Sequence, residues 1–318
     1  ILATEGKNCG EIWADADIHS VLTQGASKSS PAEVREQALG ALSNLSSHGK
    51  ISVQMWADDT LKAAVTASPK SVDAMRTLQR LSLAPENKVE MWANAEIRDN
   101  LVAGMAMDQP HAVKLHAIGT VRNLAVVVEN EAPIWSNVEA MASVVFAAKK
   151  DQHEDLRERA IATLRNLCVK ATWEPMWQNL EIRALILVGA TADNPTDTRG
   201  HALATLRSMG ADEKNQKEMW RNEEVQAVVV AATPEDQPGE VRTQALEALR
   251  NLAANVENRA LIWQHTEARN MIVHAGNRYG YKLHEEDFKC LGGCLMRTPG
   301  QAGAEEKRED DDDDDDTD

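Results

Sequence analysis

Apolar side chains recur along this chain with the spacing of amphipathic α-helices. In EVRTQALEALRNLA, residues 240–253, an apolar residue recurs at least every four positions from Val241 to Leu252, with charged residues between. Such a pattern predicts a helix with one buried face and one face in water. The segments EIRDNLVAGMA (96–106) and EEVQAVVVAAT (223–233) follow the same spacing. Because helix-favouring Ala and Leu dominate the apolar residues, the sequence predicts an all-α fold.

Tryptophan marks a repeat in this helical pattern. Seven of the eight Trp residues follow one another at intervals of 36, 42 or 43 residues. They are Trp13, Trp56, Trp92, Trp135, Trp177, Trp220 and Trp263. A fixed period of this length is typical of repeat proteins, in which each unit buries its apolar face by stacking on its neighbours. The sequence therefore predicts a right-handed α-solenoid with a long concave surface.

A recurring Asn and a recurring Pro mark where helices begin within each repeat. An Asn precedes the Trp by five residues in several repeats, and we expect its side-chain oxygen to cap a short first helix. These residues are Asn8, Asn87, Asn130, Asn215 and Asn258. A Pro follows the Trp by eighteen residues, where it suits the loop or first turn that begins a third helix. These residues are Pro31, Pro110, Pro195 and Pro238. With a second helix between the two signals, each repeat is predicted to contain three helices.

The lettering ALxxLxNL in the third helix, together with the three-helix plan and the period, resembles the armadillo repeat of β-catenin and importin-α-like proteins. The resemblance covers nearly all of residues 1–276 and implies an armadillo-type array of about six to seven repeats. Two-helix HEAT-like repeats are the alternative for the fold. The interval from Trp56 to Trp92 is seven residues shorter than most others, and we expect the loop before the third helix to be the missing part.

The two ends of the chain depart from the regular pattern. The opening ILATEGKNCGEIW matches the end of a third helix and the start of the next repeat, which predicts an array truncated at its N-terminal end. Residues 277–300 contain one amphipathic segment without the repeat lettering and are predicted to form a C-terminal cap. Residues 301–318, rich in acids, are predicted to be a disordered acidic tail.

Charge narrows the classes of partner. The net charge is −16, of which residues 301–318 contribute −9, with eleven acids against Lys307 and Arg308. Proteins that bind phosphate backbones need a basic footprint, so nucleic acid is not expected as a partner. No apolar run approaches the about 20 residues that span a bilayer, so no membrane association is expected. Four scattered Cys residues fit reduced thiols, and we expect an intracellular protein, cytoplasmic or nuclear.

A helical wheel of the third helix separates buried positions from a wet side. The recurring Asn lies at the boundary, and the residue before it lies on the side opposite the apolar face. In armadillo-like stacking the wet side lines the concave groove, which predicts a row of Asn with a row of Arg beside it. The candidate peptide-binding residues are Asn44, Arg80, Arg122, Asn123, Arg159, Arg165, Asn166, Arg207, Arg250 and Asn251.

The resemblance implies that the Asn row binds the backbone of an extended peptide. An Asn amide offers a donor and an acceptor, as a peptide group requires. The Arg row favours carboxylates or phosphates, so we expect acidic or phosphorylated segments of other proteins as partners, within a scaffold or adaptor. The acidic tail of the same chain is a further candidate occupant. The alternative is a solvated surface on which these Arg residues only pair with neighbouring acids.

A nuclear transport adaptor is an alternative function, but one feature of importin-α-like receptors is absent. Those receptors carry a Trp four residues before the Asn, where it stacks on basic cargo. Here the equivalent residues are Gly40, Arg76, Gly119, Ala162, Ala204 and Glu247. The repeat Trp lies instead in the first helix beside Met or Ile, where we expect it to fill the core between repeats.

No residue pattern predicts catalysis. The chain lacks a Gly-rich phosphate loop, a nucleophile elbow and an HExxH motif, and we expect no enzyme, cofactor or metal. A helical-repeat iron enzyme resembling deoxyhypusine hydroxylase would need four His-Glu pairs, and only those at His153 and His284 are present. Cys290 and Cys294, with His284 nearby, lack an evident fourth zinc ligand.

Overall fold

A computed structural model describes residues 8–278, apart from the side chains of Lys50 and residues 274–278. All regular elements of this part of the chain are α-helices, which confirms the all-α prediction. From residue 279 onward, the predicted cap and the acidic tail lie outside the described residues. No described helix is both long enough and apolar enough to cross a bilayer.

The helices follow one another in groups of three. In chain order they are α1 (Cys9–Ala14), α2 (Ala16–Gly25), α3 (Ala32–Leu45), α4 (Gly49–Trp56), α5 (Asp59–Thr66), α6 (Val72–Leu81), α7 (Pro85–Ala93), α8 (Ala95–Met105), α9 (His111–Leu124), α10 (Val128–Trp135), α11 (Val138–Ala147), α12 (Glu154–Leu167), α13 (Trp173–Gln178), α14 (Leu180–Gly189), α15 (Thr196–Met209), α16 (Glu213–Arg221), α17 (Glu223–Ala231), α18 (Gly239–Leu252), α19 (Val256–Gln264) and α20 (Thr266–Arg278). Within the described residues, six three-helix repeats are therefore complete, and α19 and α20 are the first two helices of a seventh.

The repeats belong to two compact units that meet between Met209 and Gly210. The first unit contains α1 to α15, which are five repeats, and the second contains α16 to α20. The boundary falls between a third helix and the next first helix, so neither unit cuts through a repeat. Each third helix of the first unit packs against the third helix of the adjacent repeat.

Proline begins the third helices, as predicted. Pro31, Pro110 and Pro238 lie at the N-cap positions of α3, α9 and α18, in the extended conformation that suits their restricted φ. Pro195 directly precedes α15. These helices are fourteen residues long, and the carbonyl of each Pro accepts the first helical hydrogen bond. Because Pro has no N–H, it leaves no donor unpaired at the start of the helix.

The prediction that the short repeat loses a loop is wrong. The connection between α5 and α6, residues 67–71, is as long as the connection of residues 106–110 that precedes α9. The difference lies in the helices, because α6 has ten residues where the other third helices have fourteen, and α5 has eight. A new N-cap forms at Ser71, whose Oγ accepts from the Ala74 N–H. The second repeat therefore lacks the first turn of its third helix.

The repeat Trp residues fill the core, as predicted from their apolar neighbours. Trp13, Trp56, Trp92, Trp177 and Trp220 are buried. Trp135 and Trp263 occupy the same register position but are half-buried. The Met or Ile before each Trp is also buried at Met55, Met91, Ile134, Met176, Met219 and Ile262. The seam between repeats is thus the main hydrophobic core of each unit.

The predicted capping role of the recurring Asn is wrong. Asn87, Asn130 and Asn258 lie inside their first helices, are almost fully buried and donate rather than accept. Asn130 Nδ2 donates to the Leu124 carbonyl at the end of α9 and to the Lys88 carbonyl of α7. The last carbonyls of a helix have no partner within that helix. The amide of Asn130 lies close enough to the Leu124 carbonyl to donate to it. The Asn joins three helices instead of starting one.

Candidate functional site

The exposed side of the third helices in the first unit forms a continuous surface, which we call the third-helix face. It belongs to α3, α6, α9, α12 and α15, which pack side by side in that order. Its residues are Asn44, Arg76, Gln79, Arg80, His116, Arg122, Asn123, Glu158, Arg159, Arg165, Asn166, His201 and Arg207. All of these side chains are half-buried, apart from Asn44 and Arg165, which are exposed. The predicted residues Arg250 and Asn251 lie in the second unit on α18, where Arg250 is exposed and Asn251 half-buried.

The Asn row connects adjacent third helices. Asn166 Nδ2 donates to the Arg122 carbonyl at 3.0 Å, and Asn123 Nδ2 donates to the Gln79 carbonyl at 3.4 Å and to Ser82 Oγ at 3.0 Å. The two acceptor carbonyls occupy equivalent positions, one residue before the corresponding member of the row. An amide has two N–H groups and an oxygen, and the oxygens of Asn123 and Asn166 accept no hydrogen bond from the described residues.

Arg80 makes the same type of contact from the second repeat. Its guanidinium donates through Nη1 to the carbonyl and to the hydroxyl of Ser43, which directly precedes Asn44. Burial lowers the pKa of Arg80, which is flanked by Arg76. The residue at this register thus joins adjacent third helices in the second repeat as well.

Two members of the Arg row differ in their contacts: Arg122 forms an ion pair, and Arg165 is exposed. Arg122 Nη1 lies 3.4 Å from Glu158 Oε1, and Glu158 also accepts from His201 Nε2 at 3.1 Å. Burial works to raise the pKa of Glu158, but the His201 hydrogen bond and the Arg122 charge outweigh it and lower that pKa. Arg165 is exposed and has no ion pair within the described part of the chain.

Gly119 makes room for polar side chains at the position where importin-α-like receptors carry Trp. A Cβ there would overlap Gln79 Nε2 and Arg159 Nη1. Arg159 Nη1 donates instead to the Leu115 carbonyl at 3.0 Å, across from α12 to α9. The side chains of Gln79 and Arg159 therefore lie against α9 at the position that Trp occupies in importin-α-like receptors.

His116 is the most perturbed group on this face. Its Nδ1 lies 2.7 Å from Gln79 Oε1, and its Nε2 lies 3.4 Å from Arg76 Nε. Burial, and then the charges of Arg76, Arg159 and Arg80, lower the pKa of His116 from 6.5 to about 4. At neutral pH the imidazole is therefore uncharged, donating to Gln79 and accepting from Arg76.

Acid is expected to destabilise the fold through His116. Because the imidazole has its ordinary pKa in the unfolded chain and a lower one in the folded chain, the unfolded state gains the proton first as pH falls. The unfolding free energy should thus drop between about pH 6.5 and about pH 4. His116→Gln should remove part of this drop. Urea unfolding at several pH values measures it, and parallel pH profiles for the two proteins would refute the assignment.

Several side chains pair across repeats in a way that the sequence pattern did not predict. Glu158 and His201 are 43 residues apart and come together because equivalent positions of adjacent third helices are neighbours. His111, His153 and Asp155 meet at the starts of α9 and α12 for the same reason. Searching for complementary residues one period apart would have found both groups.

Comparison with known proteins supports the fold through structure alone. No protein-family model and no curated protein matches the sequence. The designed armadillo repeat protein YIII(Dq)4CqI aligns with a TM-score of 0.62 and 16% identity over 73% of this chain and 98% of its own. A related design in complex with peptide (KR)4 gives 0.61 and 15% over 73% and 98%. Computationally designed armadillo repeat proteins for modular peptide recognition give 0.60 and 16% over 72% and 98%. The chain has an armadillo-like helical repeat fold.

Proposed function

We propose that this armadillo-type chain is a protein-interaction scaffold that binds extended acidic or phosphorylated segments on its third-helix face. The observation that carries the proposal is the exposed Arg165, which has no ion pair in the described part of the chain, directly beside the half-buried Asn166, whose amide oxygen accepts no hydrogen bond from the described residues. A guanidinium binds a carboxylate or phosphate in a bidentate manner, and the amide oxygen can accept a peptide N–H. No catalytic step is part of this proposal.

The charge of the face favours an acidic ligand. Six Arg residues lie on it, and the acids beside them are Asp73, which pairs with Arg76, and Glu158, which pairs with Arg122. Neither Arg80 nor Arg159 has a carboxylate within 4.0 Å in the described part of the chain. Both pairs lie half-buried at the surface, and surface ion pairs contribute little to stability, so a ligand with several acids can exchange with them at small cost.

The matched designs support peptide binding, and the charge of the peptide in one of them differs from the charge we propose for the ligand of this chain. One of the matched designs is in complex with peptide (KR)4, a basic ligand. The Arg-rich face described here has the opposite preference, because like charges brought together weaken binding. A transport adaptor for basic cargo would need an acid-lined face, and this chain does not offer one on α3, α6, α9, α12 and α15.

Charge reversal at Arg165 tests the proposal. Arg165→Glu should weaken the binding of a fluorescent Glu- and phosphoserine-containing peptide by roughly tenfold. The matched control is Arg221→Glu, an equal charge change at an exposed residue of the first helix α16, which should alter affinity by less than about twofold. Fluorescence anisotropy at fixed ionic strength measures both. Equal losses in the two variants, or tighter binding of a Lys/Arg peptide, would contradict the proposal.

The acidic segment of the chain itself is a further proposed ligand of the face. Residues 305–318 carry eleven acids and two bases, which is the chemistry proposed for external partners. A chain that ends at Ala304 should then bind the acidic peptide more tightly, above all at low salt, since it no longer competes with itself. Unchanged affinity would remove this segment as an occupant and leave the Arg165 result as the test of the face.

A further inference from the structure

Two imidazoles and a carboxylate converge where the third helices of repeats three and four begin. His111 is the first residue of α9, His153 is the N-cap residue of α12, and Asp155 lies in its first turn. Asp155 Oδ1 lies 2.6 Å from His153 Nδ1 and 3.2 Å from His111 Nε2. One ligand atom from each of the three residues lies within 4.8 Å of the others.

These separations are close to those of a metal site. Ligands at about 2.0–2.1 Å from a tetrahedral Zn²⁺ lie roughly 3.3 Å from one another. The contact between His111 and Asp155 already has about that length, the one between His153 and Asp155 is about 0.7 Å too short, and the remaining separation is at most about 1.5 Å too long. All three side chains are at least 42% exposed. They can therefore make these small adjustments in solvent, and an ion can reach the site from solvent.

The backbone holds the three residues in place. α9 and α12 pack along each other, so the starts of both helices keep a constant separation. On the other side of α9, the shortened α6 begins at Val72 and has no turn equivalent to residues 111–114. His111, the first residue of α9, is exposed, whereas Val113 in the same turn is buried.

We propose that His111, His153 and Asp155 bind a divalent first-row transition-metal ion, with Zn²⁺ as the expected occupant and water at a fourth position. Two imidazoles favour Zn²⁺, Ni²⁺ or Cu²⁺ over Mg²⁺ and Ca²⁺, which prefer sets of oxygen ligands. The ion would replace the hydrogen bonds that the carboxylate now accepts from the two rings. The positive ends of two helices oppose a cation here, and the charge of Asp155 offsets them.

Such a site would clamp repeat three to repeat four. His111 belongs to one repeat and the other two ligands to the next, so the bound ion crosses the seam. An ion that binds the folded chain and not the unfolded one raises the melting temperature. This site lies at the start of the third helices and includes none of the residues of the third-helix face, so its test does not depend on peptide binding.

Metal titration of the full chain, prepared without a histidine tag and stripped with chelator, tests the proposal. The wild type should bind one Zn²⁺ that His111→Ala and His153→Ala each weaken by roughly 10- to 100-fold. His48→Ala, a half-buried His outside the cluster, should bind like wild type. Competition with a chromophoric chelator gives the affinity, and Co²⁺ absorption in the visible range reports the tetrahedral geometry. Zn²⁺ should raise the melting temperature of wild type and of the control only.

A further variant distinguishes Zn²⁺ binding at this site from Zn²⁺ binding by the cysteines near the end of the chain. Cys290→Ser combined with Cys294→Ser removes the thiols that lie outside the described residues and should leave the Zn²⁺ affinity unchanged. A loss of binding in this variant, with retention in His111→Ala, would overturn the assignment. So would equal binding by wild type and the combined His111→Ala and His153→Ala variant, or no binding by wild type at micromolar Zn²⁺.

Discussion

Trp177→Ala is expected to lower the free energy of unfolding by about 3–5 kcal/mol, which is typical of removing a large buried aromatic side chain. Only 1% of Trp177 is exposed, and α13, which carries it, packs against α14 and α15. The guanidinium of Arg183 lies 4.8 Å from the centre of its ring, and Arg183 also donates to its carbonyl. Alanine leaves a cavity in this seam and removes the cation–π contact.

The chain offers a control for this substitution at the same register position. Trp135 is half-buried, so Trp135→Ala removes less apolar contact and should cost about half as much or less. Equilibrium urea unfolding followed by circular dichroism measures both. Equal losses for the two substitutions would mean that the repeat position, and not burial, sets the contribution of the Trp.

Asn130→Ala is expected to lower the free energy of unfolding by about 2–4 kcal/mol, because it leaves buried polar groups without a partner. Asn130 is 2% exposed, and its Nδ2 donates to the carbonyls of Leu124 at 3.1 Å and Lys88 at 2.9 Å. Both carbonyls lie in the seam between repeats three and four, where water does not replace the amide. The same urea experiment measures the loss.

Asn123→Ala is the matched comparison, since it removes the same type of side chain from α9, the third helix of the preceding repeat. Asn123 is half-buried and donates to Gln79 and Ser82, and water can replace it at the surface. We expect a loss of about 1 kcal/mol or less. A larger loss for Asn123 than for Asn130 would show that the Asn row, and not the buried Asn, is the main polar tie between repeats.

The Asn residues of the third helices were placed correctly from the sequence, whereas the recurring Asn of the first helices was not. The period and the helical wheel correctly placed Asn123 and Asn166 at the edge of the exposed side of the third helix, because wheel geometry depends only on the local backbone. The wheel does not show that their amides already join neighbouring helices. Asn130 was assigned a capping role from its spacing to the Trp, but the helix begins at Val128 with Val127 as its N-cap residue, three positions before the predicted cap.

Pairs across repeats were the main omission. Arg122 with Glu158, Glu158 with His201, and the cluster at Asp155 all join residues from adjacent repeats. Local periodicity places each of them on a helix face but contains no information on how far one repeat is rotated against the next.

The sequence by itself determined the helical content, the three-helix repeat, the prolines that begin third helices and the burial of most repeat Trp residues. These features depend on short-range preferences and on the removal of apolar surface from water, which a periodic pattern expresses directly. Only the tertiary structure decided that α6 loses a turn, that the buried Asn donates to two helices and that His111, His153 and Asp155 meet. Each of these depends on distances between helices, which arise when complete repeats pack against one another and not from any single segment.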